Sequence, residues 1–547
     1  MKKLIFFLSI AVLLINTGCK KYLYEGPINS TYGSKFWTTP QAAEQAAMGM
    51  YGLFRNAINR RVPASSNGTS HFVYGDLAAG TFLASPSGDI QYYNYIRSNG
   101  QRGPFYFNNI PYAFDSKGTG LGDWSAYYQV IAQADLIIKN VNNIPAGLFN
   151  TPSKQQYIAE ALFMRAYAYY YMTRVWGDPV YVTTTFDDVD YGNLPDLPRS
   201  KSADVLDSCM RDLRVAVNAF GYANGTTTAS VRVNKGSVQA LMAEIFAWNH
   251  QYDSCHQYCQ QVINNGGYSL EPMSSYTRIW AGQQSKESIF EIAMTNNTND
   301  PNFTNQNSWA EAQSGIFGTF TKKPYANASY TKTSCWLVPP KSSTTNSFFM
   351  ANVFDTVPVT NKHDYRLDTA GKMNILVSDV GGSDPDVPNG YRLLKYMTFR
   401  FKDSTTSGLV NPYFNNDIVM LRLSDMYLLD AEALTNLGDL AGARAQLAFT
   451  ETRANITSYN TPNTQLDMLV EILKERGREF IGEGSWFYDL IRMETNNSKN
   501  LNPQWLEKAG YPTARVNLQG YLWPLVLSIL QENNPSLTQT YYWTTTN

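Results

Sequence analysis

The sequence predicts a mostly α-helical protein in which helix pairs build a scaffold and two long irregular stretches build a lobe. Three observations carry this. Tyr157 to Trp176 is apolar or small on nearly every side, with only Glu160, Arg165 and Arg174 charged. A helix of that kind belongs in the middle of a bundle. Helical spacing recurs in pairs on both sides of it. Helical spacing is then missing over 61–121 and over most of 267–415, where Gly, Ser, Asn, Thr and aromatic residues crowd together. Irregular stretches of that length are usually functional.

The chain divides as follows. Residues 1–18 read as a leader: Lys2 and Lys3 precede an apolar run from Leu4 to Ile15, too short to span a bilayer but right for a signal peptide. Asn16-Thr17-Gly18-Cys19 resembles a bacterial lipobox, which makes Cys19 the lipidated first residue of the mature chain; a plain signal peptide cut nearby is the alternative. Residues 19–35 read as a tether, and 36–547 as one domain. Its scaffold lies mainly in 36–60, 122–266 and 416–494. Its loop-rich ligand lobe lies mainly in 61–121 and 267–415.

Within the scaffold, Thr39 caps and Pro40 opens a helix near Gln41–Arg55. Trp124–Val141 is the next. The central helix ends at Gly177, and Pro179 keeps it from restarting. Thr183–Pro198 is an acidic loop. Pro198-Arg199-Ser200 opens a helix through Ala216, and Val233–Trp248 pairs with Asp253–Asn264 before Gly266-Gly267. Lys286–Ala293 alternates like a strand. Leu434-Thr435-Asn436-Leu437-Gly438-Asp439-Leu440, with Ala443 and Leu447, looks like the turn of a tetratricopeptide repeat. Tyr252, Cys255 and Cys259 repeat its frame, so the scaffold is expected to be tetratricopeptide-like.

Several stretches resemble the SusD/RagB family of outer-membrane nutrient-binding lipoproteins. They are Glu160-Ala161, Phe163-Met164-Arg165-Ala166, the tyrosines at 169–171 and Gly177-Asp178-Pro179. Met420 to Ala433, Leu473 to Phe480, Gly482-Glu483-Gly484, Asp489 to Arg492, Trp523-Pro524 and Asn534-Pro535 continue the likeness. Asp364-Tyr365-Arg366 and Leu394-Lys395-Tyr396 fall at family landmarks. Asp425 stands where Glu is usual, and Trp486 where Arg is usual. The resemblance implies a SusD-like fold and a non-catalytic protein that binds oligosaccharide at the cell surface. It also implies delivery to a TonB-dependent, SusC-like outer-membrane barrel. An oligopeptide ligand, as in the RagB branch, is the nearest alternative; a glycoside hydrolase is more distant.

The formal net charge is −1, with 44 basic and 45 acidic residues. That argues against nucleic-acid binding and against electrostatic docking on a membrane. No Walker loop, Gly-x-Gly-x-x-Gly or Gly-x-Ser-x-Gly elbow occurs. Glu471, Glu475, Glu479 and Glu483 recur every four residues, and two carboxylates are what a glycosidase needs. Arg476, Arg478 and Arg492 nearby favour an ion-paired structural network instead. Cys255-His256-x-x-Cys259 lacks the further ligands that zinc requires and reads as core. No cofactor is expected. Structural calcium stays open only weakly, at Asp188 and Asp190 or Asp384 and Asp386.

Sugars offer flat C–H faces to aromatic rings and hydroxyls to amide and charged groups. Two loop stretches supply both: Tyr92, Tyr93, Asn94, Tyr95 and Arg97 in the first, and Trp309, Tyr325 and Trp336 in the second. These are the candidate ligand-binding residues, on loops held by a rigid scaffold.

Overall fold

A computed structural model describes residues 36–60, 70–81, 121–185, 195–222, 230–282, 285–294, 416–456, 462–495, 505–532 and 534–544. It also describes short strands and single positions between 83 and 414. The candidate ligand residues, Cys19, and the aspartates at 188, 190, 384 and 386 lie outside the described residues.

The fold is mostly helical, as expected. Helix α1 (Pro40–Ile58) begins where the Thr39 hydroxyl accepts the Ala42 amide at 3.3 Å, with Pro40 at the first position. Helix α2 (Ser125–Val141) follows. The central helix α3 (Lys154–Trp176) starts three residues before Tyr157. There Ser153 and Gln156 form a reciprocal capping box, with bonds of 3.3 and 2.7 Å. Eighteen of its 23 residues are buried, so it has no solvent face, as its composition requires. Gly177 ends it with φ +78°, a conformation that only glycine adopts without strain.

Helices α4 (Ser202–Ala216), α5 (Lys235–Trp248), α6 (Tyr252–Asn265), α7 (Leu423–Leu437), α8 (Leu440–Arg453), α9 (Gln465–Phe480) and α10 (Trp486–Glu494) complete the scaffold. Each of α1 to α8 packs on the next, the arrangement of a helical-repeat array. Cys255 and Cys259 are fully buried, and so are Ala443 and Leu447 at the matching positions. The shared frame therefore reflects shared packing. The two thiols form no disulfide and sit 4.0 Å apart in a weak S–H···S hydrogen bond.

Both irregular stretches are insertions between helices that are consecutive in this array. One separates α1 from α2, and the other separates α6 from α7. The second is closed at its base by an antiparallel pair. Strand Ser288–Ile292 lies against Ile418–Arg422, with Ile292 opposite Ile418 and Ser288 opposite Arg422. Four more two-stranded pairs occur within the insertions. Inside 61–121, where no periodicity is legible, Ser70–Leu77 forms a buried helical turn whose second part, Val73–Leu77, is π-helical.

Candidate ligand-binding site and its anchor

The structure does not describe Tyr92, Tyr93, Asn94, Tyr95, Arg97, Trp309, Tyr325 or Trp336. It does describe how the insertions carrying them are held together. Strand Leu83–Ala84, a few residues before Tyr92, pairs antiparallel with Leu337–Val338. Leu337 directly follows Trp336. A ring contact between Phe72 and Tyr396, 6.1 Å between centroids, joins the insertions a second time.

A third connection runs through the end of α9. Glu475, Glu479 and Glu483 all point into the protein and reach partners from both insertions and from the scaffold. Arg366 bonds Glu475 at 2.8 and 3.0 Å and Glu479 at 3.2 Å. It also holds Asp364. Lys395 donates to the Glu479 carbonyl at 2.6 Å and pairs with Glu483. Tyr396 donates its hydroxyl to the Gly482 carbonyl at 2.7 Å. Arg422 spans Glu287, Glu479 and Glu483, and Arg453 spans Glu287 and Glu479. Glu471 pairs with Arg478 at 2.7 Å. The expected ion-paired network is therefore present.

The first insertion docks on the same turn. The Asp76 carboxylate accepts the amides of Gly482 and Gly484 at 3.1 and 2.7 Å. His71 Nε2 donates to the Glu483 carbonyl at 3.0 Å, which leaves Nδ1 to accept the Tyr171 hydroxyl at 2.9 Å. The approach is close enough to require glycine. A Cβ on Gly484, at φ +75°, would overlap the His71 ring, and one on Gly75 would overlap the Gly484 carbonyl.

The charges follow from this packing. Burial pushes the Glu479 carboxyl up, but Arg453, Arg422 and Arg366 overcome it and hold it well below the usual range. Glu475 is likewise lowered by Arg366 and Arg478 against burial. Both stay ionised. Burial draws the Lys395 ammonium down to about 8 despite Glu483. It pushes Asp76 up to about 7 despite the two glycine amides. A buried carboxylate that arginines hold ionised and paired on several sides is poorly suited to serve as a nucleophile or as a proton donor. Removing one partner would leave an uncompensated buried charge, at about 3–5 kcal/mol.

Asp76, His71 and Phe72 gave no sequence signal, since their stretch shows neither helical nor strand spacing. Arg366 and Lys395 carried one only through the family landmarks. Trp486, in place of an arginine, is buried and meets Trp505 edge to face at 5.9 Å. Arg492 finds Glu432 and Asp489 without it. Among the described residues no group of three or more His, Cys, Asp or Glu is placed to hold a metal, and no helix is long and apolar enough to cross a membrane.

A family model described as the SusD family matches residues 247–543.

The chain belongs to the SusD family.

A second family model, described as starch-binding associating with outer membrane, matches residues 94–247. A SusD-like protein from Formosa agariphila is 24% identical, over 97% of either chain. Among solved structures, a SusD homolog from Bacteroides thetaiotaomicron is similar with TM-score 0.70 and 22% identity, covering 92% of this chain and 98% of the other. A laminarin-binding SusD-like protein is similar with TM-score 0.62 and 18% identity, covering 92% and 99%. These structural likenesses extend the SusD-like fold over nearly the whole chain.

Proposed function

We propose that this SusD-family protein is a non-catalytic glycan-binding lipoprotein of the outer membrane. It captures an oligosaccharide and passes it to a SusC-like, TonB-dependent barrel. The ligand lies across Tyr92, Tyr93, Asn94, Tyr95 and Arg97 from one insertion and Trp309, Tyr325 and Trp336 from the other. The observation that carries this is the joining of the two insertions. Leu83–Ala84 pairs with Leu337–Val338, and both insertions are fastened to one turn of the scaffold. Two aromatic-rich stretches whose flanking strands are paired above a rigid base suit a sugar surface. The likeness to a laminarin-binding SusD-like protein supports the ligand class.

A glycan array on the purified mature chain identifies the ligand, and titration calorimetry then tests the site. Tyr93→Ala, Tyr95→Ala, Trp309→Ala and Trp336→Ala are the variants. Loss of a ring that stacks on sugar weakens binding about tenfold, ~1.4 kcal/mol, with the melting temperature nearly unchanged. If all four variants bind like the parent, the site lies elsewhere. Binding of oligopeptides but no glycan would replace the ligand class.

A further inference from the structure

A cavity of about 60 Å³ lies between α3, α5, α7 and the end of α9. Its wall includes Arg174, Glu244, Asp425, Arg476 and Ser485. It belongs to the interior of the scaffold. Five buried polar atoms on this wall have no hydrogen-bond partner: Arg174 Nε, Arg476 Nε and Nη1, Asp425 Oδ1 and Ser485 Oγ. Arg476 is 2% exposed and Asp425 7%. Asp425 Oδ1 lies 2.8 Å from Arg476 Nη2, but not in hydrogen-bond alignment. Buried polar atoms of native proteins are nearly always satisfied, and each one left alone costs about 1–3 kcal/mol. Five around one cavity require a common partner.

The geometry points to an internal water cluster in this cavity, bridging Arg174, Asp425, Arg476 and Ser485. Volume permits it, since a single water needs roughly 10–15 Å³ of such space. The mixture of groups selects water over an ion. Arg174 and Arg476 present donors, the Glu244 carboxylate presents acceptors, and Ser485 and the Asp425 carboxyl, which burial and Glu244 hold well above the usual carboxylate range, can do either. An anion would satisfy the arginines and face the Glu244 carboxylate on the same wall unfavourably. A cation would satisfy Glu244 and face three guanidinium nitrogens of Arg174 and Arg476. Water alone donates and accepts. The fixed charges agree: Arg422 on the same wall is already paired with Glu287, Glu479 and Glu483, and the Glu244 carboxylate accepts the Tyr170 hydroxyl at 2.8 Å. The cluster thus completes the polar centre at a point where protein atoms do not reach one another.

The test is a crystal structure of the full mature chain at about 1.5 Å or better, with a second crystal soaked in bromide. At least two ordered waters are expected within hydrogen-bond distance of Arg476, Arg174 and Ser485, without anomalous signal. Asp425→Glu, which extends the carboxyl into the space by one methylene, is expected to displace at least one of them. A bromide peak in the cavity would overturn the water assignment in favour of an anion. A cavity closed by direct protein hydrogen bonds, with no solvent density, would overturn the site itself.

Discussion

His71 shows how one side chain sets a pH dependence. Burial lowers its pKa from 6.5 to about 4, against the pull of the Glu483 carbonyl and with help from Arg174. Its neutral form is fully satisfied, with one ring nitrogen donating and the other accepting. Between these two pH values the unfolded chain takes a proton that the folded chain refuses. The contribution to stability is therefore fully present above about pH 6.5 and is lost as pH falls toward 4. It amounts to about 3 kcal/mol. Asp76 acts with the opposite sign. Its carboxyl is raised from 3.8 to about 7, so over that window it favours the fold as pH falls. The two are expected to offset each other in the parent. In His71→Gln the urea midpoint should decline less than in the parent between pH 6.5 and 4.5, or rise. Parallel profiles for the two proteins would show that His71 does not titrate between the states.

Elements differ in how far the sequence alone reveals them. Helix α3 was legible because its apolar residues leave no solvent face, and α1 because Thr39 and Pro40 mark its start. The frame around Gly438 and Asp439 was legible because it repeats at Cys255 and Cys259. These signals are local. The start of α3 was missed by three residues because its cap lies upstream of the apolar run. Ser153→Ala should cost about 1 kcal/mol, read as a lower urea midpoint with unchanged slope. The turn at 73–77 was not legible because nothing local stabilises it. It is held by Gly482 and Gly484, some 400 positions away. For the same reason the carboxylate ladder of α9 was recognisable as ion-paired, but most of its partners were not nameable. Among them, Arg366 and Lys395 come from stretches without periodicity. The ligand residues rest on composition and the family resemblance alone. On the proposed non-catalytic reading, with which the pairing of α9 agrees, purified protein should release no reducing ends over hours from a glycan it binds. Release that disappears in Glu475→Gln or Glu479→Gln would overturn the structural role of that helix.

At the scale of the whole molecule, the proposed role in uptake requires that the scaffold and its two insertions be held at a membrane. On the proposed reading, the apolar run before Gly18-Cys19 puts the anchor on lipid at Cys19. Acyl chains hold stably only when there is more than one. Cys19→Ala should therefore appear in the soluble fraction rather than with outer membranes. Retention of that variant in cells lacking the barrel would place the anchor elsewhere. The junction at Gly484 also bears on how the protein forms. Asp76 belongs to the first sixth of the chain, yet its acceptor oxygens wait for amides at 482 and 484 of 547 residues. Arg366, Lys395 and Arg422 wait for the same helix. Synthesis from the N-terminus therefore delivers late the helix end on which both insertions are fastened. Contacts of such sequence separation are slow to close, so the polypeptide has to travel most of its biosynthetic route before it has a finished interior.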